Sequence, residues 1–334
     1  LVPLPWGGGV RPLYGLFLLA TFIVFWAIRK NRLARVLFLT LTSYGFYFYG
    51  TYDTAVEQGA PLGPLGWSVL CLGIIFVGST LDFWIGRALG RVEKPSHRKA
   101  LLLASVFYYL GVLAIFKYWD FAVSSFVAVL AHFGVQTHVS PLNLVLPFGI
   151  SFFTFETMSY TIDVYRRELE PAKKYLDYLL FVCFFPHLVA GPIVRPKDML
   201  PQFTRTPVAD ADQQGQGLWL IATGLLKKVV IGDLLARTLV NDVFKNPDTY
   251  TSVVILVGVY AYAFQIYADF SGYTDVALGS AKLFGYELPT NFNAPYTASD
   301  LQDFWHRWHI SLSSWLRDYL YKPLGGSRGS NLFT

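Results

Sequence analysis

Long apolar runs alternate with short basic stretches along most of this chain. Residues 12–28 carry no charge and are followed by Arg29, Lys30, Arg32 and Arg35. Residues 36–52 form a second uncharged run, rich in Tyr and Phe toward its end. The loop after it holds Asp53 and Glu57 but no Lys or Arg. A third run, 58–81, exits into five basic residues between Arg87 and Lys99. Runs of this length suit membrane-crossing helices. The alternation of basic and non-basic connections predicts that the start of the chain faces outward and the two basic loops face the cytoplasm. Positive charge follows the first apolar run instead of preceding it, so no cleavable signal pattern is visible.

Residues 100–131 are apolar apart from Lys117–Asp120 and predict one long or bent helix going outward. The external loop that follows carries His132 and His138. Residues 142–164 return inward to Arg166, Arg167, Lys173 and Lys174, and contain Pro147, Gly149 and Glu156. A carboxylate at membrane depth faces a bundle interior or a watery cavity. Glu156 is therefore either a cavity-lining residue or a structural hydrogen-bonding one. Residues 178–194 are apolar but broken by Pro186, Gly191 and Pro192, with basic clusters on both sides. That predicts a re-entrant hairpin, a form tolerated where it is buried in protein or lines a cavity. His187 lies in it, as a functional donor or a satisfied core histidine. Residues 201–216 read as a cytoplasmic loop. Residues 217–240 are amphipathic around Lys227 and Lys228 and suit an in-plane or half-buried helix. Residues 249–268 are long enough to cross and run into Asp269 and Asp275. These acids either face a cavity or cap a helix end that packs through Gly272. Residues 283–295 form a turn-rich connector holding Asn291-Phe292-Asn293.

Composition agrees with this pattern. The 334 residues are 54% hydrophobic and 15% charged, against about 25% charged in soluble domains. The fold class is thus all-α, a polytopic membrane bundle. The net charge of +5 belongs to cytoplasmic loops and does not indicate nucleic acid. Cys71 and Cys183 sit inside apolar runs as buried structural thiols. No zinc spacing or disulfide framework is present. The chain begins at Leu1, without Met, and ends at Thr334 just after a Gly-rich turn. Further sequence is expected at both ends.

Chemistry concentrates between Ser299 and Tyr321, where three Trp, two His, two Arg and three Asp interrupt an oily chain. Ser299 or Asp300 is a plausible N-cap. On a helix, Asp303, His306 and either His309 or Ile310 would share one face. A metal site would need further ligands, and no second His-rich box exists in the chain. Acyl transfer is a second reading: a buried imidazole can accept the proton of an attacking hydroxyl. Trp305, Trp308 and Trp315 would then wall a tunnel, and Ser311 and Ser313 would fix the ring tautomer. An interfacial helix with Trp, His and Arg at headgroup depth is the third.

The run Phe304-Trp305-His306-Arg307-Trp308-His309-Ile310-Ser311-Leu312-Ser313, followed by residues 315–321, resembles the signature of the membrane-bound O-acyltransferase superfamily. Its bacterial branch, typified by alginate O-acetyltransferase, is the nearest. Residues 147–155, 187–192, 267–275 and 291–296 fit that branch too. The resemblance implies a single domain over residues 1–334, with broken helices around a through-membrane tunnel in the bacterial cytoplasmic (inner) membrane. It implies acetyl transfer from a cytoplasmic thioester, acetyl-CoA or another, with no bound cofactor or metal. The acceptor would be an extracellular or periplasmic polysaccharide, often served by a separate periplasmic transferase. His309 takes the position of one family histidine; the other is expected on a later helix, beyond Thr334. Trp305, Trp308, Ser311, Asp269, Asp275, His187, Glu156 and Asn291 are the candidate lining residues. D-Alanyl transfer to teichoic acid, or a non-catalytic conduit for a periplasmic partner, are the alternatives.

Overall fold

The computed structural model describes residues 12–135, 137, 142–188 and 191–326. His138 lies outside them. The chain divides into two compact units. The first holds residues 36–185 and 195–200. The second holds residues 8–35, 186–194 and 201–334.

The first unit contains most of α2 (Arg32–Gln58), then α3 (Gly63–Leu89), α4 (Pro95–His132), α5 (Ile150–Arg166) and α6 (Tyr175–Cys183). α3 packs on α4, α5 and α6. The run 58–81 predicts a start four residues too early and a stop at Asp82. The helix instead begins after Gly59 and Gly63, whose φ of +68° and +69° break the chain, and continues past Asp82. α4 is one unbroken helix, as the pattern predicts, and its 38 residues exceed a bilayer's hydrocarbon thickness. Its interruption has a role: the Asp120 carboxylate accepts the Leu142 N–H at 2.7 Å. The return run 142–164 becomes helical only at Ile150. Pro147 and the left-handed Gly149 (φ +67°) hold the residues before it irregular. α6 has nine residues, too few to cross, and irregular backbone follows from Phe184. The single apolar run 178–194 is therefore broken, as its prolines predict.

Arg98 closes this unit. It is 7% exposed and sits in the first turn of α4. Its guanidinium donates to the carbonyls of Leu89, Val92 (3.1 Å), Val164 (3.3 Å) and Tyr165 (2.7 Å). The C-terminal ends of α3 and α5, which a helix leaves without partners, are capped by one side chain.

The second unit contains α1 (Pro12–Ile28), the end of α7 (Pro196–Thr204), α8 (Ala211–Leu225), a π-helical stretch Leu226–Gly232, α9 (Asp233–Leu235), a second π stretch Ala236–Val240, α10 (Asn241–Lys245), α11 (Ser252–Leu283), α12 (Leu301–Arg307), α13 (Ile310–Leu316) and a final π turn Arg317–Tyr321. Arg35 repeats the capping device. It is 1% exposed and donates to the carbonyls of Arg29 (2.8 Å), Phe203 (3.1 Å) and Arg205 (2.7 Å). α1 is tied to α11 by Tyr14 Oη with Ser280 Oγ (2.8 Å) and by Trp26 Nε1 donating to the Leu283 carbonyl (3.2 Å).

α11 is the main departure from the pattern. The apolar run stops at Ala268, but the helix carries on through Asp269 and Asp275 to Leu283. The acids do not end it because α8 and its π continuation supply their counter-charges. Lys227 Nζ lies 2.6 Å from Asp275, and Lys228 Nζ lies 2.8 Å from Asp269 and 2.7 Å from Asp233. Two glycine pairs allow the approach. A Cβ on Gly224 would stand 2.5 Å from the Gly272 carbonyl, and one on Gly279 would stand 2.5 Å from the Gly217 carbonyl. Small residues of this kind let membrane helices touch backbone to backbone.

Among the described residues, α3, α4 and α11 are long and apolar enough to cross a membrane. α1 is a shorter apolar helix, and α2 carries Arg32, Arg35, Asp53 and Glu57. The glycine seam gives a paired test. Gly224→Ala should cost about 1–3 kcal/mol by overpacking and lower the melting midpoint of the detergent-solubilised protein. Gly215→Ala, with nothing within 4 Å, should hold or raise it through helix propensity. Equal midpoints for the two variants would refute the seam.

Candidate active site

The helical reading of residues 303–310 gives way to a sharp break. α12 ends at Arg307, α13 begins at Ile310, and His309 between them takes left-handed backbone (φ +44°, ψ +53°). Such a φ is uncommon outside glycine and is held here by its surroundings. The Asn291 carbonyl accepts the Ile310 N–H at 2.9 Å. The Asn291 side-chain oxygen accepts both the N–H (3.2 Å) and the Oγ–H (2.9 Å) of Ser311. Ser311 Oγ in turn accepts the Ile193 N–H at 3.0 Å. Asn291 is 1% exposed and Ser311 5%, so these bonds form away from solvent, where leaving one unmade is costly. The connector and the 191–194 segment are thereby latched to the His309 turn.

The break separates the expected ligand stripe. Asp303 is committed to Arg307 at 2.7 Å, and Asp300 caps α12 by accepting the Asp303 N–H at 2.7 Å. Arg307 holds the exposed Asp303 carboxyl below its usual range. His306 is exposed and points away from any cluster of ligands. Among the described residues no three His, Cys, Asp or Glu side chains gather in a metal-binding group.

Aromatic rings enclose the His309 imidazole. Phe270 meets it edge to face at 4.7 Å, and Phe292 stacks at 6.4 Å. Trp308 packs among Phe292 (5.2 Å), Phe304 (5.6 Å) and Tyr296 (6.1 Å). His309 Nε2 is closed to solvent and has no hydrogen-bond partner. Burial pushes the imidazole down to about 4, so it is neutral at pH 7.

The structure brings His309, Trp308, Ser311 and Asn291 together. Trp305 is 55% exposed and touches Phe304 at 5.4 Å. The serines do not fix the ring tautomer: Ser311 is spent on Asn291 and Ile193, and Ser313 Oγ donates to the Trp308 carbonyl at 3.3 Å. Asp269 and Asp275 sit in the ion-paired seam instead of beside the imidazole. His187 is fully buried in the second unit, and Glu156 fully buried in the first. Cys71 and Cys183 are buried free thiols. Phe270, Phe292 and Thr274 had no signal in the sequence beyond their place in an apolar pattern. Thr274 Oγ1 lies 3.5 Å from Asn291 Nδ2.

Residues 153–334 match the membrane-bound O-acyltransferase family. The chain belongs to this family. It is 41% identical over 270 residues to a probable alginate O-acetylase of Azotobacter vinelandii, covering 80% of this chain and 53% of that protein. It is 32% identical over 337 residues to a peptidoglycan O-acetyltransferase of Helicobacter pylori, covering 93% and 60%. A teichoic acid D-alanyltransferase of Bacillus subtilis is 32% identical over 191 residues, covering 56% and 47%. The chain spans about half the length of the relatives it matches most fully in identity. In this membrane-bound O-acyltransferase, the family match takes in the whole His309 turn and the connector that latches it.

Two outcomes follow. Asn291→Ala strands the Ser311 N–H and should cost about 1–3 kcal/mol, read as a lower melting midpoint; an unchanged midpoint would deny the latch. The imidazole gains a proton below about 4 in the folded protein and below about 6.5 unfolded. Between those values the unfolded chain binds more protons, so stability falls as pH falls through that window. His309→Gln should flatten this part of the acid profile between pH 7 and pH 5, and parallel profiles would reject it.

Proposed function

We propose that this chain is the membrane acyl-transfer portion of an O-acetyltransferase, acting in a bacterial inner membrane with several passes. It takes an acetyl group from a cytoplasmic thioester, acetyl-CoA or another, for O-acetylation of an extracellular or periplasmic polysaccharide such as an alginate-like polymer or a cell-wall glycan. The observation that carries this reading is the His309 turn: a neutral imidazole, its Nε2 buried and free, held in strained backbone by the Asn291 latch. The greater identity to O-acetylating relatives supports acetyl over D-alanyl transfer.

In the reaction, the acetyl carbon–sulfur bond breaks and a carbon–oxygen bond to the acceptor hydroxyl forms. The hydroxyl proton leaves through a base and ends on the departing thiol. An imidazole that protonates near 4 is a weak base at neutral pH. His309 therefore orients the reacting groups through Nε2 or relays the proton, and a second histidine beyond residue 334 serves as the main base. Trp308 and Phe270 keep water from the ring, and Asn291 and Ser311 position it. Tunnel-lining roles for His187, Glu156 and Trp305 belong to the same reading, as does a periplasmic transferase that completes delivery to the glycan.

His309→Ala in the full-length protein should abolish glycan O-acetylation while the protein still inserts in the membrane. Base-released acetate from purified glycan measures it, and normal acetyl content in the variant would overturn the role of His309.

A further inference from the structure

One buried acid in the first unit takes no part in the chemistry above. Asp82, in α3, is 0% exposed. The hydroxyls of Ser105 and Tyr109 from α4, Thr161 from α5 and Tyr178 from α6 surround its carboxylate. Neither carboxylate oxygen is in full hydrogen-bonding geometry with any of them. Ser105 Oγ instead donates to Thr161 Oγ1 at 3.2 Å. The Tyr109 and Tyr178 hydroxyls are closed to solvent and likewise without a bonded partner. Gly78 brings the α3 backbone close, since a Cβ there would stand 2.9 Å from Tyr109 Oη.

No side-chain cation neutralises this group. Arg98 is committed to backbone carbonyls, and Arg87 donates to the Lys173 carbonyl at 3.4 Å. An isolated carboxylate in an apolar bundle is expensive, and an acid within a membrane helix points to a bound ion or a relay. The oxygens converging here are hard donors, one anionic and four neutral, from four helices. Hard oxygen sets select hard cations. A single carboxylate balances a single positive charge, whereas calcium sites assemble several carboxylates and carbonyls, and magnesium keeps its waters.

We propose that Asp82, with Ser105, Tyr109, Thr161 and Tyr178, forms a buried site for a monovalent cation of sodium's class that fastens α3 to α4, α5 and α6. The site is independent of the acyl-transfer reading. Full-length protein purified in detergent is melted in sodium, potassium or choline chloride at equal ionic strength. Sodium should raise the midpoint over choline by about 3 °C at saturation, and Asp82→Asn should lose the rise. An equal midpoint in all three salts overturns the proposal, as does a sodium effect that survives in Asp82→Asn. A midpoint that follows pH and ignores the salt means a protonated carboxyl and also overturns it. Should Asp82→Asn fail to fold, equilibrium dialysis of the wild type with radioactive sodium decides: stoichiometric binding that weakens in Tyr178→Phe upholds the site, and absence of bound sodium rejects it.

Discussion

A polar atom surrounded by apolar matter must find its partner within the protein, and this constraint shapes each unit of the chain. Helix ends are where backbone carbonyls run out of partners. Arg98 in one unit and Arg35 in the other each collect such carbonyls from two helix ends. The charge stays delocalised over a planar guanidinium with five donors, which suits several acceptors at once as a lysine ammonium does not. Basic residues that topology arguments count as loop charge are, at these two positions, structural caps.

The same constraint explains the ion-paired seam. Lys227 and Lys228 interrupt an apolar run, and Asp269 and Asp275 interrupt another; each alone is costly at depth. Together they cancel, because glycines on both helices remove the side chains that would hold the charges apart. A pair of this sort adds little net stability over an apolar replacement, yet losing one partner is severe. It therefore fixes which residues of α8 and α11 face each other, and α11 carries Phe270 and Thr274 to the His309 turn.

Much of this was legible in the sequence. The apolar runs locate α1 to α5 and α11, Pro186 and Pro192 announce the broken segment, and Asp300 is the cap it resembles. His309 stood out through its motif. What the pattern could not carry is pairing across distance. Nothing local says that Lys228 belongs with Asp269, so α11 looked fourteen residues shorter at its end and α8 looked like an in-plane helix. Nor does helical periodicity foresee a break at Trp308-His309, since the bonds that stabilise it come from Asn291, far enough along the chain to be invisible to a local window. The seven-residue spacing of Gly217 with Gly224, and of Gly272 with Gly279, was the available clue.

That spacing has a sequel in the π-helical turn at Leu226–Gly232. After Gly217 and Gly224 an α-helix would bring residue 231 to the contact line, but the residue pressed against the Asp269 carboxylate is Gly232. A π turn takes up one residue more than an α turn, so the eighth position arrives where the seventh would have been. The chain thus keeps its phase by a one-residue hesitation. Removing a single residue from that turn would restore ideal helix and rotate everything after it by ~100°, swinging Asp233 and the rest of the stretch out of step with α11 while leaving the composition almost untouched.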